Sequence, residues 1–204
     1  SFTVAYLTAY VALVCRGNIE NGESLLVHGA AGGVGLAAVD LGIHYGAKVF
    51  ATSASSSKRE FLSSYGAHHV LPDNGFKDKV KELTPSNGAD IIYDPVGGDV
   101  FDESVRCIAW NGRLLVIGFT SGRIPSISVN MPLIKGFSVV GVRGGEYGRR
   151  NPEMGKKNLV AIDKLATEGK LNPYIHNSYP LEKTIDALSE LKNRTVIGKI
   201  CIKP

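Results

Sequence analysis

The chain has little cysteine, and nowhere are its cysteines close together. Cys15, Cys107 and Cys201 are odd in number, far apart along 204 residues, and each sits inside an apolar stretch. That distribution argues against a disulfide framework or a cysteine-based zinc cluster, and reads as small core residues in a reducing compartment such as the cytoplasm. The sequence also lacks an apolar run long enough to span a bilayer. No basic segment precedes its first apolar run, "SFTVAYLTAYVALVCRG", so neither a membrane helix nor a signal peptide is expected. Blocks of one charge are missing too. The formal net charge is +4 and the pI near 8.9, but Lys and Arg are spread throughout. The pairs Arg149-Arg150 and Lys156-Lys157 are short, the pattern of solvated faces and not of a nucleic-acid surface. There is no internal repeat, and no low-complexity segment beyond "TSASSSK".

What is present is globular. With 44% hydrophobic and 21% charged residues, the chain can bury one sizeable core, or one domain and an attachment. Val4, Leu7, Val11 and Cys15 recur at three- and four-residue steps, the stripe of a packed helix, and a chain opening inside such a helix reads as part of something longer. From Ser24 onward, short β-branched runs alternate with helical patterns. The runs are "SLLVHGA", "AKVFATSA", "HHVL", "ADIIYDPVG", "GRLLVIGF" and "FSVVGVRG"; helical periods fall near 33 to 46, 57 to 65, 76 to 84 and 99 to 110. This spacing forces parallel crossovers, so the expected fold class is α/β, a doubly wound parallel sheet of the Rossmann type. The connector "PSISVNMPLIKG" reads as irregular, and a helix is expected near 152 to 168. The ending "NPYIHNSYPLEKTIDALSELKNRTVIGKICIKP" breaks the rhythm with a strand, a helix and a terminal strand that belong elsewhere.

Glycines concentrate where the first strand, read as 24 to 30, meets the first helix, read from Val34. In "VHGAAGGVG" the pattern is Ala30-x-Gly32-x-x-Gly35, a variant of G-x-G-x-x-G with Ala first. At that turn, backbone N–H groups at the helix start can hold a pyrophosphate; a side chain at Gly32 would block its approach, and Gly35 lets helix and sheet lie close.

The Ala variant and its neighbours resemble the quinone oxidoreductase (zeta-crystallin-like) branch of the medium-chain dehydrogenase/reductase superfamily. The similar stretches are "TAY", "VHGAAGGVGLAAVDLG", "YGAKVFATSASSSK", "GADIIYDPVGGDVFDESVRCIAWNGRLLVIGF" and "GKICI", which cover nearly all of the chain in family order. The resemblance implies a GroES-like catalytic domain ahead of this nucleotide-binding half. It therefore divides the chain into a linking helix and Rossmann domain, 1–171, and a C-terminal segment of that catalytic domain, 172–204. It also lends roles. Ala31, Gly32, Gly33 and Val34 match the pyrophosphate loop; Gly118, Phe119 and Thr120 match the loop along the nicotinamide and its ribose. Val96 and Gly97 match a wall beside the ribose, Val140 to Val142 the floor near the carboxamide, and Thr8 a position facing the nicotinamide.

The implied cofactor is NADPH. An NAD-selective fold places Asp or Glu about 20 residues past the glycines, whereas "KVFATSASSSKR" has no carboxylate from Lys48 to Arg59. Thr52, Ser53 and Ser55 offer hydroxyls there, Lys58 matches the family's 2′-phosphate lysine, and Arg194 matches a second basic position. No metal site is expected: His28 reads as a hydrogen-bonded core residue, and His68 and His69, adjacent on a strand, point to opposite faces. No Ser stands in a G-x-S-x-G frame, so a nucleophile elbow is not read.

The resemblance implies a zinc-independent NADPH:quinone oxidoreductase, passing hydride to a quinone or activated alkene, with no catalytic acid nameable from these residues. The alternatives are another medium-chain reductase, either an enoyl reductase or an alcohol dehydrogenase, or a module that binds cofactor and is inactive alone. Because one wall of the implied cleft lies outside these residues, little turnover is expected of the chain by itself. The apolar run "FSVVGVRG" reads as an uncovered sheet edge, which predicts a homodimer.

Overall fold

Leu25, Leu26 and Val27 show why a sheet forms. In the computed structural model, which describes residues 2–85 and 88–204, Ser1 of the N-terminal run quoted above lies outside the described residues. Strand β1 (Ser24–Val27) is buried along its whole length. Its side chains enter two cores in alternation, Leu25 and Val27 on one face and Leu26 on the other. The same alternation runs through Val49, Phe50 and Ala51 of β2 (Lys48–Thr52) and through Ile91, Ile92 and Tyr93 of β4 (Ala89–Asp94). Strands apolar on both faces need helices on both faces.

With β3 (His69–Leu71), β5 (Ile108–Val116) and β6 (Ser138–Gly141), these strands form one six-stranded sheet in the order β3-β2-β1-β4-β5-β6. All neighbours are parallel. This is the doubly wound Rossmann order, and its topological switch point lies between β1 and β4. One face is covered by α1 (Thr3–Tyr10) with its π-helical continuation Val11–Arg16, and by α2 (Gly33–His44), α3 (Ser56–Tyr65) and α8 (Pro152–Thr167). The other carries α4 (Lys77–Leu83), α5 (Gly98–Ser104) and α6 (Asn130–Lys135).

Several boundaries differ from the sequence expectation. The first strand stops at Val27, because Gly29 takes φ +54° and turns the chain. The helix read over 99 to 110 ends at Ser104, and β5 begins already at Ile108, with a register shift against β4 between Ala89 and Ile91. The connector read as irregular contains α6, and α7 (Gly144–Arg150) precedes α8. Both are short, and the glycine-rich start of α7 carries no apolar period to reveal it.

The last residues make β7 (Ile175–Pro180), α9 (Thr184–Lys192) and β8 (Lys199–Lys203); β7 and β8 pair in a separate two-stranded sheet. Their departure from the main sheet is held at Asn172. Its N–H donates to the buried Asp40 carboxylate at 2.7 Å, which also accepts from Tyr6 Oη, while Tyr65 Oη donates to the Asn172 carbonyl. At the bottom of the sheet, Arg113 of β5 makes a two-pronged pair with Glu23, both bonds 2.8 Å, and donates to Gly17 O, fixing where the N-terminal helix leads into β1.

Helix α2 lies against the end of β1 so closely that a Cβ built on Gly35 would stand 2.3 Å from Gly29 O and 2.8 Å from Ala30 Cα. Both obstacles are backbone. Gly35→Ala is therefore expected to lose about 1–3 kcal/mol of stability, the usual cost of overpacking, as a lowered urea midpoint with an unchanged m-value.

Candidate nucleotide site

The site is built on the carboxyl ends of β1, β2, β4, β5 and β6. After β1, Ala30 N–H donates to Thr52 O (3.1 Å) and Gly32 N–H to Gly29 O (2.9 Å), closing a tight turn into α2. Gly32 is the N-cap, and no side chain caps the helix. The first-turn N–H groups, which have no partner within a helix, are left for something outside it. Steric demand differs along the turn. A Cβ on Gly32 would meet Gly29 O at 3.3 Å and one on Gly33 would meet Gly198 O at 3.3 Å, tight but adjustable contacts. Gly35 is thus required by the fold itself, whereas at Gly32 the demand is milder, a backbone oxygen that would have to give by a few tenths of an ångström.

At the end of β4, Asp94 folds the next turn. Its buried Oδ1 accepts from Val96 N (2.8 Å) and Gly97 N (2.9 Å). Burial pushes this carboxyl above its ordinary range, and the two backbone N–H groups pull the other way. Gly97 takes φ +69°, and a Cβ there would meet Phe119 Cδ1 at 3.0 Å. The loop after β5 runs alongside: Thr120 N–H donates to Pro95 O (3.1 Å) and Ser121 N–H to Val96 O (3.0 Å). Val96, Gly97, Gly118, Phe119 and Thr120 are therefore brought into one wall, with Val96 also reaching the Gly29 turn. Val140 is half-buried against the core, and Val142 N–H bonds Val116 O at 3.0 Å. Thr8 lies against the start of α7, since a Cβ on Gly144 would meet Thr8 Cα at 2.9 Å. The Thr8 hydroxyl donates to Val4 O within its own helix.

The corner beyond β2 differs from the sequence reading. Thr52 is fully buried and its hydroxyl stands 2.9 Å from His28 Nδ1, so it is spent inside the core and is not offered to a ligand. Ser53 is also buried, and its carbonyl accepts from Arg59 at 2.8 Å. Lys58 and Arg194 do meet, but through the backbone: Lys58 Nζ donates to Arg194 O (2.6 Å) and Val196 O (2.8 Å). An ammonium carries three protons, so one remains for a ligand. Burial lowers the Lys58 pKa from its ordinary value. The Arg194 residue is exposed.

Residues missed from sequence are Asp94, Arg59 and Gly198. "DPVGG" carries a readable signal for Asp94, an Asx turn opened by Asp and closed on glycine. Nothing local marks Gly198, whose N–H donates to Ala31 O at 2.8 Å and which bridges to Gly32. The C-terminal segment thus buttresses the glycine turn from outside the Rossmann sheet. His68 Nδ1 accepts from Val49 N while His69 stacks on Phe50, so the two rings diverge. Among the described residues, no group of three or more His, Cys, Asp or Glu side chains could hold a metal ion, and no helix is long and apolar enough to cross a membrane.

The sequence model of the family described as zinc-binding dehydrogenase matches residues 33–159, more than half of the chain. The chain belongs to this family. Within it, the chain falls in the quinone oxidoreductase branch of the medium-chain dehydrogenases/reductases, as its nucleotide-binding half. It is 38% identical to a quinone oxidoreductase-like protein 2 homolog of Nematostella vectensis, across 99% of this chain and 56% of that protein. A mycobacterial protein solved in complex with NADPH superposes with a TM-score of 0.89 at 26% identity, over 98% of this chain and 62% of that one. The nucleotide-binding subdomain of an enoylreductase domain from Mycobacterium tuberculosis superposes with a TM-score of 0.74 at 32% identity, over 84% of this chain and 97% of that one. The family's description names zinc, but the described residues of this chain offer no ligand set that fits it.

Beneath the glycine turn, His28 is held by Thr52 Oγ1 and, at 2.8 Å, by Ser104 Oγ. Ser104 donates its own proton to Val100 O, so it accepts from Nε2–H, and the buried ring is neutral at ordinary pH with Nδ1 accepting from Thr52. Burial depresses the His28 pKa to about 3. The unfolded chain then binds one more proton between about pH 3 and 6.5, so this contribution is complete above about pH 6.5 and declines as pH falls. Going from pH 8 to pH 5 should cost the parent about 2 kcal/mol more than His28→Phe, read from paired urea titrations.

Proposed function

We propose that the chain is the NADPH-binding part of a zinc-independent reductase that passes hydride to a quinone or an activated alkene. The observation that carries this reading is the glycine turn at the carboxyl end of β1, with a helix start that no side chain caps and no side chain at Gly32 to cover it. The loop of Ala31 to Val34 would meet the pyrophosphate with the N–H groups that follow Gly32, whose own N–H is taken by Gly29 O. Lys58, already aimed by two carbonyls, would give its third proton to the 2′-phosphate. Phe119, Thr120, Val96 and Gly97 would form the wall along the nicotinamide ribose, with Val140 and Thr8 beside the ring. The cofactor supplies the hydride, and the protein supplies alignment and exclusion of water.

The enoylreductase likeness favours a second reading in which the acceptor is an enoyl group. The chain spans 56% of the sea-anemone relative, and we assign 1–171 to the linking helix and nucleotide domain and 172–204 to a returning piece of a GroES-like catalytic domain. The separate β7–β8 sheet and the exposed Ile185 and Leu188 on α9 support that division. Cys15, Cys107 and Cys201, thiols far apart in the sequence, fit a reducing, cytoplasmic setting.

Losing one charge-assisted hydrogen bond costs roughly 1.5–3 kcal/mol. Lys58→Ala should therefore weaken NADPH by about 10- to 150-fold while leaving NADH nearly unchanged. Fluorescence titration of both cofactors decides it: equal affinities in the parent, or equal losses in the variant, would overturn the assignment.

We further propose a homodimer through β6, one of the two outer strands of the sheet. Val129 and Leu133 beside it are 86% and 80% exposed, and Trp110 and Ile134 add to the same apolar margin. Light scattering at micromolar concentration should give a dimer mass for the parent and a monomer mass for Val139→Lys. A monomeric parent would refute the pairing.

A further inference from the structure

Beyond the end of β2, two successive basic residues of α3 send their side chains to backbone carbonyls, each in a different way. Lys58 reaches across to the 194–196 turn and spends two of its three protons there. The hydroxyls nearby are committed as well: Thr52 lies in the core, and Ser55 Oγ caps α3 by accepting from Lys58 N–H. Arg194 contributes its carbonyl, from a residue held at φ +56°. Arg59 instead folds back on its own loop. Its Nη1 donates to Ser53 O (2.8 Å) and to Ala54 O (2.7 Å), which holds the guanidinium at the end of β2.

That anchor uses one nitrogen of three. Among the described residues Nε and Nη2 have no hydrogen-bond partner, and neither atom is buried, so both are open to a ligand. The Nε hydrogen and the adjacent Nη2 hydrogen of a guanidinium point the same way, a planar fork that matches two oxygens of a phosphate. Because the backbone already fixes the other corner, little side-chain freedom is left to lose on binding.

In a doubly wound fold the adenosine ribose rests at the end of the second strand, where a cation in place of a carboxylate suits a 2′-phosphate. We propose that Arg59 is a specificity-determining residue, taking the 2′-phosphate of the cofactor on Nε and Nη2 while Lys58 gives its one remaining proton. The assignment rests on the NADPH reading and adds to it a residue that the family resemblance does not supply.

The probes are adenosine 2′,5′-bisphosphate and AMP, which differ only in the 2′-phosphate and need no nicotinamide wall, titrated calorimetrically into the 204-residue chain. The parent should bind the bisphosphate about tenfold or more tighter than AMP. Arg59→Gln should weaken the bisphosphate by about 10- to 150-fold and leave AMP unchanged. Arg59→Lys, which keeps the charge and can still reach a carbonyl but has no fork, should lose part of the preference. A preference as large as the parent's in either variant overturns the role of Arg59, and so do equal losses on both ligands, which a purely structural arginine would give. NADPH, titrated in parallel, separates the two readings: a parent that binds it while Arg59→Gln keeps the bisphosphate preference sinks this proposal alone, and a parent that binds neither NADPH nor bisphosphate sinks both.

Discussion

The contact between Gly35 and the backbone of Gly29 and Ala30 is the constraint on which the rest of the site depends. Because no side-chain atom can stand between them, α2 starts directly over the end of β1, and its uncapped first turn opens at the switch point of the sheet. Move the helix outward by the width of a methyl group and two things change together. The first-turn N–H groups shift relative to the Asp94 and Phe119 loops, and the Gly198 contact to Ala31 loses its register. The geometry of the glycine turn and the docking of the C-terminal segment are thus consequences of one close approach.

Around that contact the protein distributes its buried polar groups so that each secures a strand end. His28 closes β1 against Thr52 of β2 and Ser104 of α5; Asp94 closes β4 and aligns the loop after β5. A neutral imidazole suits the first task, since it can accept from one hydroxyl and donate to another without bringing a charge into the core. Lys58 does the equivalent work at the edge, where its charge is half-shielded by two carbonyls of the 194–196 turn. The C-terminal segment is joined at Asn172, at Lys58 and at Gly198, so the loops that would hold a nucleotide are braced by residues far away in sequence.

The fold was legible because its signals are local and repeated. Alternating apolar residues such as Leu25, Leu26 and Val27, with glycines at a strand-to-helix junction, specify a parallel sheet and its glycine turn without any knowledge of distant contacts. That Val96, Gly97, Gly118, Phe119 and Thr120 belong together was suggested only by family resemblance, and the structure does place them side by side. Thr52 was misread. Its position at the end of β2 is visible in the sequence, but the inward direction of its hydroxyl depends on His28, 24 residues earlier. Gly198 and the two carbonyls on Lys58 were invisible for the same reason, since they exist only after the chain has returned. Asp94 could have been found from the Asp-Pro-x-Gly-Gly spacing.

The central claim is that backbone N–H groups of the glycine turn hold the diphosphate of NADPH. Amide-resolved ¹H–¹⁵N spectra of the chain titrated with NADPH test it most directly. The account predicts that the largest shifts fall on Gly32, Gly33 and Val34, with a second group around Lys58 that NADH does not reproduce. Saturating NADPH that leaves the amides of 32 to 34 in place, or shifts clustered elsewhere on the sheet, would contradict it.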